Sequence, residues 1–170
     1  ATLSLEASDG FLPDLERLRS MVTLETKLIA LTNPNNPTGA LIERPMLEAI
    51  AEVADSVGAY LLCDEVYRGT GQVGDGMVPS IVDIYHRGIS TAGMSKVFSL
   101  AGLRVGWVVA PNELTEKIMI HRDYDTISVG MINDHFAAIA LENASKVLAR
   151  SQACLSYTSD AADEVVRVDL

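Results

Sequence analysis

Lys27-Leu28-Ile29-Ala30-Leu31-Thr32 runs straight into Asn33-Pro34-Asn35-Asn36-Pro37-Thr38-Gly39, and this junction decides the fold. Leu28 to Leu31 is a short, uninterrupted apolar run, the pattern of a strand buried on both faces. The stretch that follows can only be loop, because Asn, Pro and Gly break both helix and strand. Working outward, the same grammar recurs. Pro45 sits where a first helical residue belongs, Leu47, Ile50, Val53, Ala54 and Val57 form an apolar stripe, and Gly58 stops the helix. Ala59 to Cys63 reads as a second strand, ending in Asp64-Glu65, and Gly69 to Pro79 as a glycine-rich loop. Ile89 to Ala92 and Val105 to Ala110 read as a third and fourth strand. Glu113 to His121 and Asp134 to Ala149 read as helices. Upstream, Pro13 opens a helical run marked by Leu15, Leu18, Met21 and Val22. Apolar strands separated by amphipathic helices predict an α/β fold, three layers deep (α/β/α), with a mostly parallel sheet. In such sheets ligands bind beyond the carboxyl ends of the strands, so the polar residues found there are the functional candidates.

Composition narrows the classes. The chain has 170 residues, about one domain at ~150 residues per domain. Apolar residues make up 48% and charged residues 21%, enough for a packed core, which excludes disordered and mucin-like chains. Lys and Arg number 13 against 23 Asp and Glu, a net charge of -10. Such a chain repels nucleic-acid backbones but can still hold one small anion at a local basic site. Two cysteines, Cys63 and Cys154, build neither a disulfide framework nor a CxxC zinc site. No apolar run reaches the ~20 residues of a membrane span, and no signal-peptide pattern opens the chain. The expected location is the cytoplasm. Cys154 to Glu164 reads like a translated transposase sequencing adapter, with Ser156 as the one departure. Residues 1–153 are therefore read as part of one domain and 154–170 as a non-native tail, the alternative being a natural acidic tail.

Three strand ends carry unusual polar residues. In the first, the prolines fix the loop and leave the Asn36 amide able to donate and accept, although a plain turn has the same composition. In the second, Asp64-Glu65-Val66-Tyr67-Arg68 follows a buried strand, where a carboxylate is costly unless it meets a cation or a donor. His86, His121 and His135 do not cluster with it, so no metal is expected. Gly69-Thr70-Gly71-Gln72-Val73-Gly74 spells G-x-G-x-x-G, but Asp75-Gly76 and Pro79 stand where that motif needs a helix. The third is Gly93-Met94-Ser95-Lys96-Val97-Phe98-Ser99-Leu100-Ala101-Gly102-Leu103-Arg104-Val105-Gly106-Trp107. Lys96 stands among small and apolar residues, and a desolvated lysine is a usable amine nucleophile. Arg104, eight residues on, offers a fixed fork for an anion such as phosphate.

Together these segments resemble the pyridoxal-phosphate-dependent aminotransferases of fold type I, class I/II. Gly93, Ser95, Lys96, Ser99-Leu100, Gly102, Arg104 and Gly106 carry the lysine signature. Asn36 precedes Asp64 by 28 residues and Asp64 precedes Tyr67 by 3. The resemblance implies that the fold is a piece of the family's large, cofactor-binding domain. It implies that Lys96 is the catalytic residue and holds pyridoxal 5'-phosphate as a Schiff base. Asp64 then pairs with the ring nitrogen, Asn36 and Tyr67 bond the ring's phenolic oxygen, and Arg104 clamps the phosphate. Many relatives carry a hydroxyl three residues before the lysine, where this chain has Gly93, so Ser95 and Thr91 are the candidates for the phosphate's hydroxyl donor.

The family's upstream phosphate turn and ring-stacking aromatic have no counterpart in this sequence, nor does its downstream carboxylate-binding arginine. The expected activity is that of an amino acid aminotransferase acting on an amino acid and a 2-oxo acid, a homodimer at full length. The 170 residues expressed alone are expected to be inactive. A carbon-sulfur or other lyase, or a transcriptional regulator with an aminotransferase-like domain, remains an alternative with the same cofactor residues.

Overall fold

Asp14 accepts hydrogen bonds from the backbone of Glu16 and Arg17, at 2.9 and 3.1 Å, and so caps the helix α1, Leu15–Met21. Pro13 therefore stands one residue outside the cap. A computed structural model describes residues 1–71 and 77–166, with side chains through residue 155. The helix α2, Arg44–Ser56, carries Pro45 in its first turn, where the missing N–H costs nothing. Its buried face is Leu47, Ile50, Ala51, Val53 and Ala54, and the chain leaves it through Gly58 at φ +67°.

Among the described residues four strands form one sheet in the order β1-β2-β3-β4: Leu28–Thr32, Tyr60–Asp64, Gly88–Gly93 and Gly106–Val109. The first three are parallel. Leu31 pairs with Cys63, and Cys63 with Ser90. β4 runs antiparallel to β3, which is the reason the sheet is mostly and not wholly parallel. The β3–β4 link holds no α-helix to carry a crossover; its ends are tied where the Met94 N–H donates to Val105 O at 3.0 Å.

Two cores form. In the first, Leu47, Ile50 and Ala54 of α2, Leu18 of α1 and Leu61 and Cys63 of β2 pack together, with Ile29 and Leu31 of β1 against them. α1 and α2 thus cover one face of the sheet. On the opposite face Leu28 and Val108 keep 49% and 45% of their surface exposed. In the second core, Met94, Val97 and Phe98 pack with Ala137 and Ala140, and Trp107 meets Phe98 edge-on with ring centroids 6.2 Å apart.

One predicted helix divides. The periodicity gives a single helix over 134–149, but the structure has α4, Met131–Glu142, and α5, Ala144–Val166, with α3 at Asn112–Arg122 before them. Asn143 breaks the run. Its side-chain amide donates to Ile139 O at 2.9 Å, competing with the helical ladder. Its own carbonyl accepts from the backbone of Lys146 and Val147, starting a new helix. The backbone of α5 passes residue 153 without a break. The second half of the G-x-G-x-x-G stretch, from Gln72 to Asp75-Gly76, lies outside the described residues, whereas Gly69 sits in the turn after β2.

Candidate functional site

Because β1, β2 and β3 are parallel, the loop after Thr32, the turn after Asp64 and the lysine loop after Gly93 leave from one end of the sheet. Arg104 enters antiparallel β4 from that same end. Asn36, Asp64, Tyr67, Ser95, Lys96 and Arg104 are thus gathered by topology from three loops.

The first loop is held by a residue that the motif reading passes over. Asn33 is buried, and its side-chain amide bonds Ile42 twice: Nδ2 donates to Ile42 O and Oδ1 accepts from Ile42 N, both at 2.9 Å. A side chain here closes residues 33–42 as a strand pair would. The Asn33-Pro34 and Asn36-Pro37 peptides are both cis. Asn36 lies at the exposed tip, and its Nδ2 donates to Tyr67 Oη at 3.4 Å, across 31 residues of sequence.

The second loop keeps its carboxylates apart. Glu65 is buried, and its Oε1 accepts from Ser80 Oγ at 2.9 Å and from Ile81 N at 2.8 Å. Asp64 is half-buried and meets donors, with no cation bonded to it among the described residues. Its Oδ1 accepts from Val66 N and from Thr91 Oγ1, each at 3.2 Å. Beneath them, burial pushes the Cys63 thiol up to about 12, with the Glu65 and Asp64 charges adding to the effect.

The third loop is stiff around an accessible amine. Met94, Val97 and Phe98 are buried, yet Lys96 itself is exposed. The apolar neighbours serve the loop's own packing and leave the amine in solvent, where the sequence suggested a desolvated lysine. Lys96 Nζ stands 5.9 Å from the Tyr67 ring centroid. Ser99 at φ +57° and Arg104 at φ +52° are both in the left-handed region that side chains avoid, and they bracket the segment between loop and strand. Such conformations cost about 1–3 kcal/mol each and collect at functional sites.

Arg104 has no carboxylate partner among the described residues. Its Nη1 donates to Ala101 O at 2.9 Å and to Ser95 Oγ at 3.4 Å. Gly93 and Gly106 are register partners, and a Cβ on Gly93 would sit 3.1 Å from Val105 O and 3.2 Å from Gly106 Cα. That close approach of β3 and β4 explains glycine at this position and removes its hydroxyl, leaving Ser95 beside the arginine.

Two adjacent cavities meet at Ser95. One, of about 290 Å³, is lined by Asp64, Thr91, Ser95 and Arg104. The other, of about 320 Å³, is lined by Tyr67, Thr70, Ser95 and Lys96. A roomier cavity of about 400 Å³ along the β1 edge is lined mainly by apolar side chains and by none of the six predicted site residues. Among the described residues the site therefore offers a primary amine, a carboxylate with one oxygen free of donors, a paired amide and phenol, and a guanidinium with no carboxylate partner beside a hydroxyl. This donor set fits a small aromatic aldehyde bearing a phosphate, a ring nitrogen and a ring hydroxyl. Among the described residues no group of three His, Cys, Asp or Glu could hold a metal, and no helix is long and apolar enough to cross a membrane.

The comparisons point the same way. The sequence profile described as Aminotransferase class I and II matches residues 1–165. An aspartate/prephenate aminotransferase of Thermus thermophilus is 33% identical over 135 residues, which is 79% of this chain and 35% of that protein. Capreomycidine synthase of Streptomyces vinaceus is 34% identical over 145 residues, 85% of this chain and 37% of that protein. The crystal structure of a PLP-dependent aminotransferase from Streptococcus suis superposes with a TM-score of 0.87 at 41% identity, covering 94% of this chain and 42% of that one. Thermus thermophilus aspartate aminotransferase with maleate gives 0.83 at 29% identity, over 89% of this chain and 40% of that one. The chain thus spans little more than a third of the length of these curated relatives, 35% to 37%.

Proposed function

This chain belongs to the class I and II aminotransferases, a pyridoxal-phosphate-dependent family of fold type I, and we propose from that premise that the protein it spans transfers the amino group of an amino acid to a 2-oxo acid. The observation that carries the proposal is the meeting of Lys96, Tyr67 and Asn36 with Asp64, Ser95 and Arg104 at one end of the sheet. When bound, pyridoxal phosphate supplies an electron sink for the charge left when an amino acid loses its α-proton.

In this reading Arg104 and Ser95 would bind the phosphate, with charge-assisted bonds from an arginine that meets no carboxylate among the described residues. Asp64 holds a proton on the ring nitrogen through the oxygen its protein donors leave free. Asn36 and Tyr67, already bonded to each other, donate to the ring's phenolic oxygen. Lys96 would hold the cofactor covalently through its side-chain amine, and that amine, when free, would move the proton at the substrate Cα. Residues 1–153 form part of the cofactor-binding domain of a cytoplasmic homodimer, and 154–170 are a non-native tail.

The test is a pair of half-reactions on the full-length protein. Incubated with amino acid alone, it should form 2-oxo acid in an amount equal to its sites and then stop, until a second 2-oxo acid restores it. Lys96→Ala should slow this by roughly 10²–10⁴-fold or more. Continuous release of ammonia with no 2-oxo acid added as acceptor would identify a lyase instead.

A further inference from the structure

Asp64 and Thr91 are register partners on the parallel pair β2–β3, so their side chains stand on the same face, one strand spacing apart. Thr91 Oγ1 donates to Asp64 Oδ1 at 3.2 Å, and the Val66 backbone N–H donates to the same oxygen at 3.2 Å. Among the described residues no donor reaches Asp64 Oδ2. A threonine hydroxyl has one proton, and here it is spent on Asp64. Arg104 and Ser95 line the same cavity, but Arg104 bonds Ser95 and not Thr91.

We propose that Thr91 is a positioning residue for the cofactor's ring nitrogen. With the Val66 N–H it fixes the Asp64 carboxylate by one oxygen and reserves the other for the ring, while Ser95 is the hydroxyl for the phosphate. The inference rests on the cofactor reading above and deepens it. An Asp64 free to rotate would present either oxygen and would lose order on binding; one pinned at Oδ1 is organised in advance. The register supplies this pinning at no cost in loop order, because both residues belong to strands.

The experiment measures dissociation constants of the full-length apoprotein for three probes by absorbance titration. The probes are pyridoxal phosphate, pyridoxal, which lacks the phosphate, and the 1-deaza analogue, in which carbon replaces the ring nitrogen. Thr91→Val keeps shape and strand propensity while removing the hydroxyl. It should weaken pyridoxal phosphate and pyridoxal by the same factor, about fivefold for one hydrogen bond. Thr91→Ser should restore both to within about twofold, and the deaza analogue should bind Thr91→Val and wild type alike. Ser95→Ala should weaken pyridoxal phosphate and leave pyridoxal unchanged.

A Thr91→Val penalty confined to pyridoxal phosphate would make Thr91 the phosphate ligand and overturn the proposal. A penalty that persists with the deaza analogue, or no penalty at all, would overturn it too. Failure of the wild-type protein to bind pyridoxal phosphate would sink the cofactor reading itself, and this inference with it.

Discussion

Replacing Glu65 by leucine should destabilise the protein more than replacing it by glutamine. Glu65 is 6% exposed and pairs with no cation among the described residues. What holds it is Oε1, which accepts from Ser80 Oγ at 2.9 Å and from Ile81 N at 2.8 Å. Both donors belong to buried residues, so neither regains water when the acceptor goes. Hydrogen bonds to a charged group contribute about 1.5–3 kcal/mol each, so two cost about 3–6 kcal/mol. A buried leucine side chain returns about 1.5–3 kcal/mol of that. The net expectation for Glu65→Leu is about 1.5–3 kcal/mol. Glutamine keeps a carbonyl oxygen with two lone pairs in the place of Oε1, so Glu65→Gln should cost only about 1 kcal/mol. Urea unfolding of the full-length protein, followed by circular dichroism, reads both through a shifted midpoint at unchanged slope. Glu65→Leu within about 0.5 kcal/mol of wild type would refute the reasoning. So would a glutamine variant as damaged as the leucine one, since the charge itself would then be the requirement.

Two further predictions concern the sheet. The Cys63 thiol, raised from 9.0 to about 12 by burial, stays protonated in the folded state when the unfolded chain would ionise. The stability linked to it is fully present below pH 9 and is lost as pH rises from 9 toward about 12. Cys63 should resist alkylation at mildly alkaline pH until the protein is unfolded in urea, and Cys63→Ala should flatten the alkaline loss of stability. A Cβ on Gly88 would stand 2.7 Å from Ile81 O and 2.9 Å from Tyr85 O, both backbone atoms. Gly88→Ala should therefore lower stability by about 1–3 kcal/mol. Gly102→Ala, with nothing within 4 Å of its Cβ, should change it by less than about 0.5 kcal/mol in the same urea unfolding.

The parts of this protein legible in its sequence are those written in periodicity and punctuation. The strand Leu28–Thr32, the stripe of α2 and the stop at Gly58 follow from apolar spacing and from proline and glycine chemistry. The candidate site residues were legible because they stand at strand ends or in the loops that join them, where the sheet topology collects them. The direction of β4 was not, because strand polarity is decided by how the link from Gly93 to Gly106 packs, and that link is spent on the lysine loop. The break at Asn143 was hidden for a similar reason: asparagine is tolerated in helices unless its amide turns back on the carbonyl four residues earlier. Asn33 looked like one more loop asparagine, and only its burial against Ile42 reveals a closure. Thr91 and Asp64 are 27 residues apart, and nothing but sheet register brings them together. Lys96 was expected to be desolvated and is exposed; its apolar neighbours build the floor under the loop.

The central claim is that Lys96 is the covalent anchor of the cofactor, and borohydride reduction followed by peptide mapping of the full-length protein tests it most directly. Reduction in the presence of pyridoxal phosphate should fix the pyridoxyl group on the peptide containing Gly93 to Arg104, at Lys96, and Lys96→Ala should leave no label on any peptide. Stable labelling of Lys27, Lys117 or Lys146 in its place, or undiminished labelling in the Lys96→Ala variant, would contradict the account.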